Sequence, residues 1–163
     1  MDDPITLAIA FAAGCKTTQY TYPEFKLMCN TIKVDNMQAL QGKISTIRND
    51  IKNDSKLHAK IYSFTYRYYL EPGMKNIPTE TATALWPLLF TGNGFEQKCS
   101  FLDDWINWLD GLGDKRAAIK KDEWDMFLEF NNVTRGDLKN FEDDGTYPSI
   151  FDDFLEWIEN GKK

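Results

Sequence analysis

Apolar residues return along this chain at three- and four-residue intervals almost throughout. Leu7, Ala10 and Phe11 form one such set ahead of Gly14, a residue suited to closing a helix. Thr21-Tyr-Pro-Glu24 reads as a capping box, opening a helix through about Lys33 with Phe25, Met28 and Ile32 on one face. Asp35-Asn-Met-Gln38 opens the next helix, where Met37, Leu40, Ile44, Ile47 and Ile51 make an apolar stripe and Lys43, Arg48 and Lys52 stay outside. Ser55 is placed to cap a helix carrying Leu57, Ile61, Phe64 and Tyr68, ended by Pro72-Gly73. Thr79 is placed to cap another, with Ala82, Leu85, Trp86 and Leu89, in which Pro87 predicts a kink or a break.

The second half continues in the same period. Leu102, Trp105, Ile106 and Leu109 precede Gly111-Leu-Gly113. Trp124, Phe127 and Leu128 follow, then a short helix near Gly136–Phe141, and a last helix expected to bury Phe151, Phe154, Leu155 and Ile158. Alternating patterns of the β type are nearly absent, and there are no repeats or long linkers. An all-α fold in a single domain is expected, and 163 residues at 42% hydrophobic content are enough for a core.

Charge changes the picture more than composition does. The net charge is −6, which argues against a nucleic-acid backbone as the main partner. Met1–Lys98 carries nine acidic and eleven basic residues, net +2, whereas Cys99–Lys163 carries sixteen and eight, net −8. Such asymmetry is either a solvated acidic surface or a face that attracts a basic protein partner. The longest apolar run, Ile9 to Ala13 with its neighbours, is far short of the roughly 18 residues of a membrane span. The opening Met-Asp-Asp-Pro lacks the basic start of a secretory signal, and three scattered cysteines suggest neither a disulfide framework nor a thiolate metal site. An intracellular, reducing compartment is the plain reading.

The stretch Asn140 to Ile158, "NFEDDGTYPSIFDDFLEWI", raises the question of chemistry. With Gly145 at the sixth position of a calcium loop, Asn140, Glu142 and Asp144 fall at positions one, three and five. Position twelve is then Phe151, whose ring cannot supply the bidentate carboxylate that calcium needs. Acid–base work would require one carboxyl in an apolar pocket. Asp152, Asp153 and Glu156 fall instead on the polar side of their helix, where a first-turn carboxylate also suits the macrodipole. His58 is the only histidine, which excludes a multi-histidine metal site, and its lysine-rich surroundings predict a surface position. Gly92-Asn-Gly94 and Gly111-Leu-Gly113 read as turns, since neither continues into a phosphate loop. Cys29 reads as core, whereas Cys15 and Cys99 stay undecided as nucleophiles. Tyr62, Tyr66, Tyr68 and Tyr69 cover more than one helix face, which suits a binding surface as well as a core. No bond-making constellation emerges, so no catalytic residue, metal site or cofactor is expected. An acidic patch and an aromatic–aliphatic surface remain, and both are docking features.

Several segments resemble one family. "IKKDEWDMFLEF" (Ile119–Phe130) followed by "NFEDDGTYPSIFDDFLEWI" is similar to the C-terminal signature of the defective-in-cullin-neddylation family, the potentiating-neddylation (PONY) domain. "FTYRYYLEPGMKNIPTETATALWPLLF", "FLDDWINWL" and "LAIAFAAGCK" resemble its middle and start, so the likeness covers most of the chain in order, and a fungal-type member is expected. The resemblance implies an all-helical domain over residues 1–163, built of EF-hand-like helix–loop–helix halves without functional calcium loops. It also implies that the ubiquitin-associated domain and the first helices of the family are missing from this chain.

What it implies about function is a scaffold-type ligase without a catalytic nucleophile. Such a scaffold holds the neddylation conjugating enzyme and a cullin together while the ubiquitin-like modifier moves to a cullin lysine. By motif, the cullin's basic winged-helix region would dock on Asp122 and Asp152, with Thr146 where the family has alanine, and Asp153, Glu123, Asp143 and Asp144 would reinforce the field. A pocket for the acetylated N-terminal methionine of the conjugating enzyme carries over to Ile9, Ala10, Thr18, Tyr20, Tyr68, Leu85 and Leu88. The apolar members of that set read equally well as ordinary core. Leu85 stands where tyrosine is frequent and Tyr68 where phenylalanine is, which reshapes the pocket's polar edge. A monomer, cytoplasmic and nuclear, without nucleic-acid or membrane partners, completes the expectation. The rivals are a calcium-responsive EF-hand protein, a general helical adaptor using its acidic face and, more distantly, a hydrolase.

Overall fold

The computed structural model describes residues 3–91, 99–142 and 145–162 of the chain. The order is α1 (Ile5–Ala12), α2 (Tyr22–Ile32), α3 (Met37–Asn53), α4 (Ser55–Tyr69), β1 (Ile77–Pro78) and α5 (Thr79–Phe90). Then follow α6 (Leu102–Leu112), a 3-10 turn Gly113–Arg116, β2 (Ala118–Ile119), α7 (Lys121–Thr134), a 3-10 turn Leu138–Asn140 and α8 (Ile150–Glu159). The all-α expectation therefore holds, with one two-stranded antiparallel bridge besides the helices. No helix among the described residues is long and apolar enough to cross a membrane.

The chain resolves into two compact units, Met1–Pro72 with Leu88–Gln97, and Gly73–Pro87 with Lys98–Lys163. In the first, α1 ends in paired backbone bonds from Gly14 N–H to Phe11 and from Cys15 N–H to Ala10. Gly14 has φ +63, and a Cβ there would come within 3.2 Å of Leu27, so a side chain at this position would be both strained and crowded. The capping box is present: the Thr21 N–H donates to Glu24 at 2.7 Å. Asn36 caps α3 through the Ala39 N–H. For α4 the cap is Asp54 rather than Ser55, its carboxylate accepting from the Lys56 and Leu57 amides, and Ser55 becomes the first helical residue. A carboxylate beats a hydroxyl here because it also complements the positive end of the helix.

Side-chain burial corrects three expectations in this unit. Of the α3 stripe only Ile51 is fully buried; Leu40, Ile44 and Ile47 are half-covered and Met37 is exposed. Tyr62, Tyr66 and Tyr68 are core residues and Tyr69 is half-buried, so the tyrosine run of α4 packs inward instead of forming a docking surface. Among the described residues the exposed aromatics are Tyr20, Tyr22 and Phe25, around the start of α2. His58 is buried, not on the surface. Its Nε2–H donates to the Leu89 carbonyl at 2.9 Å, and its ring contacts Phe90 edge-on. Leu89 lies in the last turn of α5, where carbonyls lack intrahelical partners, so a buried donor from another helix is well used there. The lysines beside His58 in sequence lie on the other face of α4, which is why a local reading misplaced it.

The second unit is organised around aromatic rings. Trp86 of α5 stacks on Trp124 of α7 at 5.1 Å between centroids and meets Trp105 of α6 edge-on at 5.8 Å. Phe127 sits 4.9 Å from Trp86 and 5.0 Å from Trp105. Phe151 of α8 stacks on Trp105 at 5.5 Å and lies 4.9 Å from Phe130. Phe154 is buried beside them, whereas Leu155 and Ile158 are only half-covered. Each such ring removes roughly 150–250 Å² of surface from water. Pro87 does not break α5, which continues to Phe90. The helix is retained because Trp86 on one side of the proline and Phe90 on the other are both fully packed.

β1 pairs with β2, Ile77 opposite Ile119, both fully buried. Strands of two residues are too short to leave an alternating pattern in sequence. Thr79 does not cap α5: it is the first residue of the helix, and its hydroxyl donates to the Arg116 carbonyl at 2.6 Å while its N–H bonds Ala117. Arg116 in turn pairs with Glu123 at 3.0 Å, and Glu123 also accepts from the Lys120 N–H at 2.9 Å.

Two outcomes follow from these contacts. Burial lowers the His58 pKa below its ordinary 6.5, the Leu89 hydrogen bond only partly offsetting it. The unfolded chain then takes up a proton that the native state resists, so stability is lost as pH falls through 6.5 and rises again only in the reverse direction. The midpoint of urea unfolding should drop more between pH 7.5 and 5.5 in the native protein than in His58→Gln, which keeps a donor for Leu89. Glu123→Ala, by stranding the Arg116 guanidinium and opening the first turn of α7, should cost about 2–4 kcal/mol in the same assay. Asp152→Ala, at an exposed position, should stay within about 0.5 kcal/mol.

Candidate functional site

Asp122 lies in the first turn of α7, and Asp152 and Asp153 lie in the first turn of α8. All three are exposed, and among the described residues none of them makes an ion pair. Their placement follows from the fold. α7 and α8 meet through Phe130 and Phe151, and burying those rings turns the opposite helix faces to solvent. Carboxylates are comfortable at these positions because the first-turn amides carry positive partial charge.

Thr146 is exposed in the loop leading to α8. That loop is fixed by Tyr147, whose ring meets Phe141 at 4.8 Å and Phe151 at 5.6 Å, and Gly145 provides the φ of +83 that the turn requires. Asp122, Thr146, Asp152 and Asp153 are thus all exposed positions of the second unit, on elements that share an aromatic core. Glu123 does not join them. It is 3% exposed and is spent on Arg116 and the start of α7, so it is withdrawn as a contributor to the surface field. Asp143 and Asp144 lie outside the described residues, as does the Gly92-Asn-Gly94 turn.

Phe151, at the twelfth position of the calcium-like loop, is fully buried with its ring stacked on Trp105. A residue held in this way gives a cation nothing to bind. Among the described residues no group of three or more His, Cys, Asp and Glu side chains could hold a metal ion.

In the first unit Ala10 is fully buried, Ile9 half-buried, and Thr18 and Tyr20 exposed in the loop between α1 and α2. Tyr68 is buried near the end of α4, and Leu88 is half-buried in α5. Leu85 belongs to the second unit and is buried there. Tyr20 and Tyr68 come together over Cys15: burial raises the Tyr20 pKa, and the Cys15 and Tyr68 side chains beside it push it further up. Burial likewise raises the Cys15 thiol, with the Glu24 charge adding to it, so the thiol is held in its inert, protonated form. Burial also takes Tyr69 up to about 12 and Cys99 up to about 12. Neither cysteine has the depressed pKa of a nucleophile.

Glu24 is the residue that sequence reasoning undervalued. Besides closing the capping box it accepts from the Lys16 N–H at 3.1 Å, so one carboxylate pins both ends of the loop carrying Thr18 and Tyr20. Those hydrogen bonds, first of all from the Thr21 hydroxyl, hold its pKa below the usual carboxylate range. The capping motif was a visible signal for α2, but nothing in the spacing of Lys16 revealed the second use. A separate apolar cleft of about 380 Å³ opens between α1, α2, α3 and α4, with Ala8, Phe11, Ile47, Leu57 and Ile61 among its walls. None of the seven residues carried over by motif lines that cleft.

Comparison with known proteins identifies the family. The family model described as cullin binding matches residues 39–157. DCN1-like protein 3 of Homo sapiens is 34% identical over 157 residues, covering 94% of this chain and 49% of that protein. The Xenopus tropicalis protein of the same name gives the same figures, and that of Drosophila melanogaster is 29% identical over 158 residues, 94% of this chain and 45% of its own length. The chain therefore spans about half the length of the curated relatives it matches. With a family model covering most of the chain and relatives above 30% identity, this protein belongs to the cullin-binding, potentiating-neddylation family.

Proposed function

We propose that this chain acts in cullin neddylation as a scaffold, with no nucleophile of its own. Its second unit holds a cullin, and its first unit holds the N-terminally acetylated conjugating enzyme. The observation that carries this reading is the set of exposed, unpaired carboxylates Asp122, Asp152 and Asp153 at the N-terminal turns of α7 and α8. Their only internal use is with the helix ends, so they are available to a basic surface. Complementary charge of this kind speeds encounter and fixes register more than it deepens affinity. Thr146, with its extra hydroxyl and methyl beside Asp152 in the loop before α8, sets the local shape of the patch.

The enzyme-binding half of the proposal rests on Ala10, Tyr20 and Tyr68 around Cys15. A ligand there meets the exposed Tyr20 ring first, with the buried Tyr68 and Ala10 behind it, and the two phenol groups stay protonated. A free amino terminus would lose its hydration against such a surface at a cost of several kcal/mol, while acetylation removes the charge. Burial of the methionine side chain then contributes roughly 1.5–3 kcal/mol. Once both partners are held, the reaction gains from proximity and orientation, with the chemistry supplied by the thioester of the conjugating enzyme and the cullin lysine. Localisation in cytoplasm and nucleus, and action as a monomer, belong to the same proposal.

Calorimetry tests the two halves separately. Asp152→Arg should weaken binding of a cullin winged-helix region at least about tenfold, or ~1.4 kcal/mol, and leave the affinity for an acetylated conjugating-enzyme peptide unchanged. Undiminished cullin affinity in this variant removes the patch assignment. The acetylated peptide should bind and its unacetylated twin should not, with Tyr20→Ala weakening the former. Equal titration curves for the two peptides would end the pocket assignment and leave the cullin-facing half standing.

A further inference from the structure

Four serine and threonine residues in the chain have a carboxylate three positions ahead: Thr21, Ser100, Thr134 and Ser149, followed by Glu24, Asp103, Asp137 and Asp152. The fold distinguishes them. The Thr21 hydroxyl is bound to Glu24 at 2.7 Å, the Ser100 hydroxyl donates to the Gly136 carbonyl at 2.7 Å, and Thr134 is fully buried with its hydroxyl on Asn131. Ser149 is exposed, and its side chain makes no hydrogen bond to the helix it precedes. It also has a second carboxylate, Asp153, at the fourth position ahead. The loop before it is held by Tyr147 in the aromatic core, which keeps Ser149 presented at the surface.

We infer that Ser149 is a phosphorylation site for an acidophilic serine/threonine kinase, and that its phosphate strengthens the acidic docking surface formed with Asp152 and Asp153. The second half rests on the reading that this surface receives a basic cullin region. In the transfer step the Ser149 Oγ attacks the γ-phosphorus of Mg-ATP. The Oγ–P bond forms as the bond to the β,γ-bridging oxygen breaks, the hydroxyl proton passes to the kinase base, and ADP leaves. The exposed carboxylates three and four residues ahead supply what a basic substrate groove on such a kinase reads.

The product is favoured locally. A phosphate adds ~1.5–2 negative charges at the N-terminus of α8, where unsatisfied amides and the macrodipole accept it. It stands on the same surface as Asp152, so the field toward a basic partner rises without any rearrangement of the core. The Ser149 hydroxyl makes no capping hydrogen bond that the modification would break, and its carbonyl keeps the Asp153 N–H.

The test uses the full chain with a kinase of the casein kinase 2 type and Mg-ATP, followed by site mapping in a mass spectrometer. One phosphate on Ser149 is expected, absent in Ser149→Ala and formed at least about tenfold more slowly in Asp152→Asn, the two variants having native circular dichroism. Phosphate on Thr21, Ser100 or Thr134 instead, or none on the folded chain, overturns the acceptor assignment. Calorimetry of the phosphorylated and unmodified chains with a cullin winged-helix region should then show about fivefold tighter binding after modification, the gain shrinking as salt is raised. Equal or weaker binding of the phosphoprotein, when the unmodified chain binds, overturns the strengthening. If neither form binds the cullin, the docking reading fails together with the strengthening, while mapping of phosphate to Ser149 still upholds the acceptor.

Discussion

In the second unit the packing of Trp86, Trp105 and Trp124 with Phe127, Phe130, Phe151 and Phe154 decides where everything else can stand. The rings come from α5, α6, α7 and α8, and they interlock by stacked and edge-on contacts with centroids mostly 5–6 Å apart. Because each helix commits its apolar face to this centre, its rotation about its own axis is fixed. The N-terminal turns of α7 and α8 are thereby turned outward with Asp122, Asp152 and Asp153 on them. Removal of one large ring would cost roughly 3–5 kcal/mol and loosen the helices that carry the carboxylates.

The same constraint explains why the calcium-like loop is not one. The position that should offer two oxygens is Phe151, and that ring is a member of the interlock. What metal coordination achieves in a calcium-binding loop is achieved here by Tyr147 against Phe141 and Phe151, with Gly145 making the turn.

The first unit uses polar fixings to a similar end. Glu24 holds Lys16 and Thr21, Asp54 starts α4, and His58 closes the carbonyl end of α5 through Leu89. The loop carrying Tyr20 is therefore positioned by a carboxylate outside the apolar cluster it serves, while Cys15 and Tyr68 define that cluster from beneath.

Helical periodicity by itself determined the all-α class, the order of the helices, and the polar positions of Asp122, Asp152 and Asp153, because a three-to-four-residue repeat reports which face of a helix must be buried. Motif resemblance determined the family. Tertiary structure alone decided what lay within reach of what. Glu123 and His58 look like surface residues beside their charged neighbours in sequence, yet each is buried against a group on another element, Arg116 seven residues back across β2 and Leu89 at the end of another helix. The tyrosines of α4 look like a binding face because they span the helix, and they are core because other helices cover more than one side of it. The two-residue strands and the second task of Glu24 left no pattern at all. A hydrogen bond between distant segments depends on the path of the chain between them, and no local spacing encodes that path.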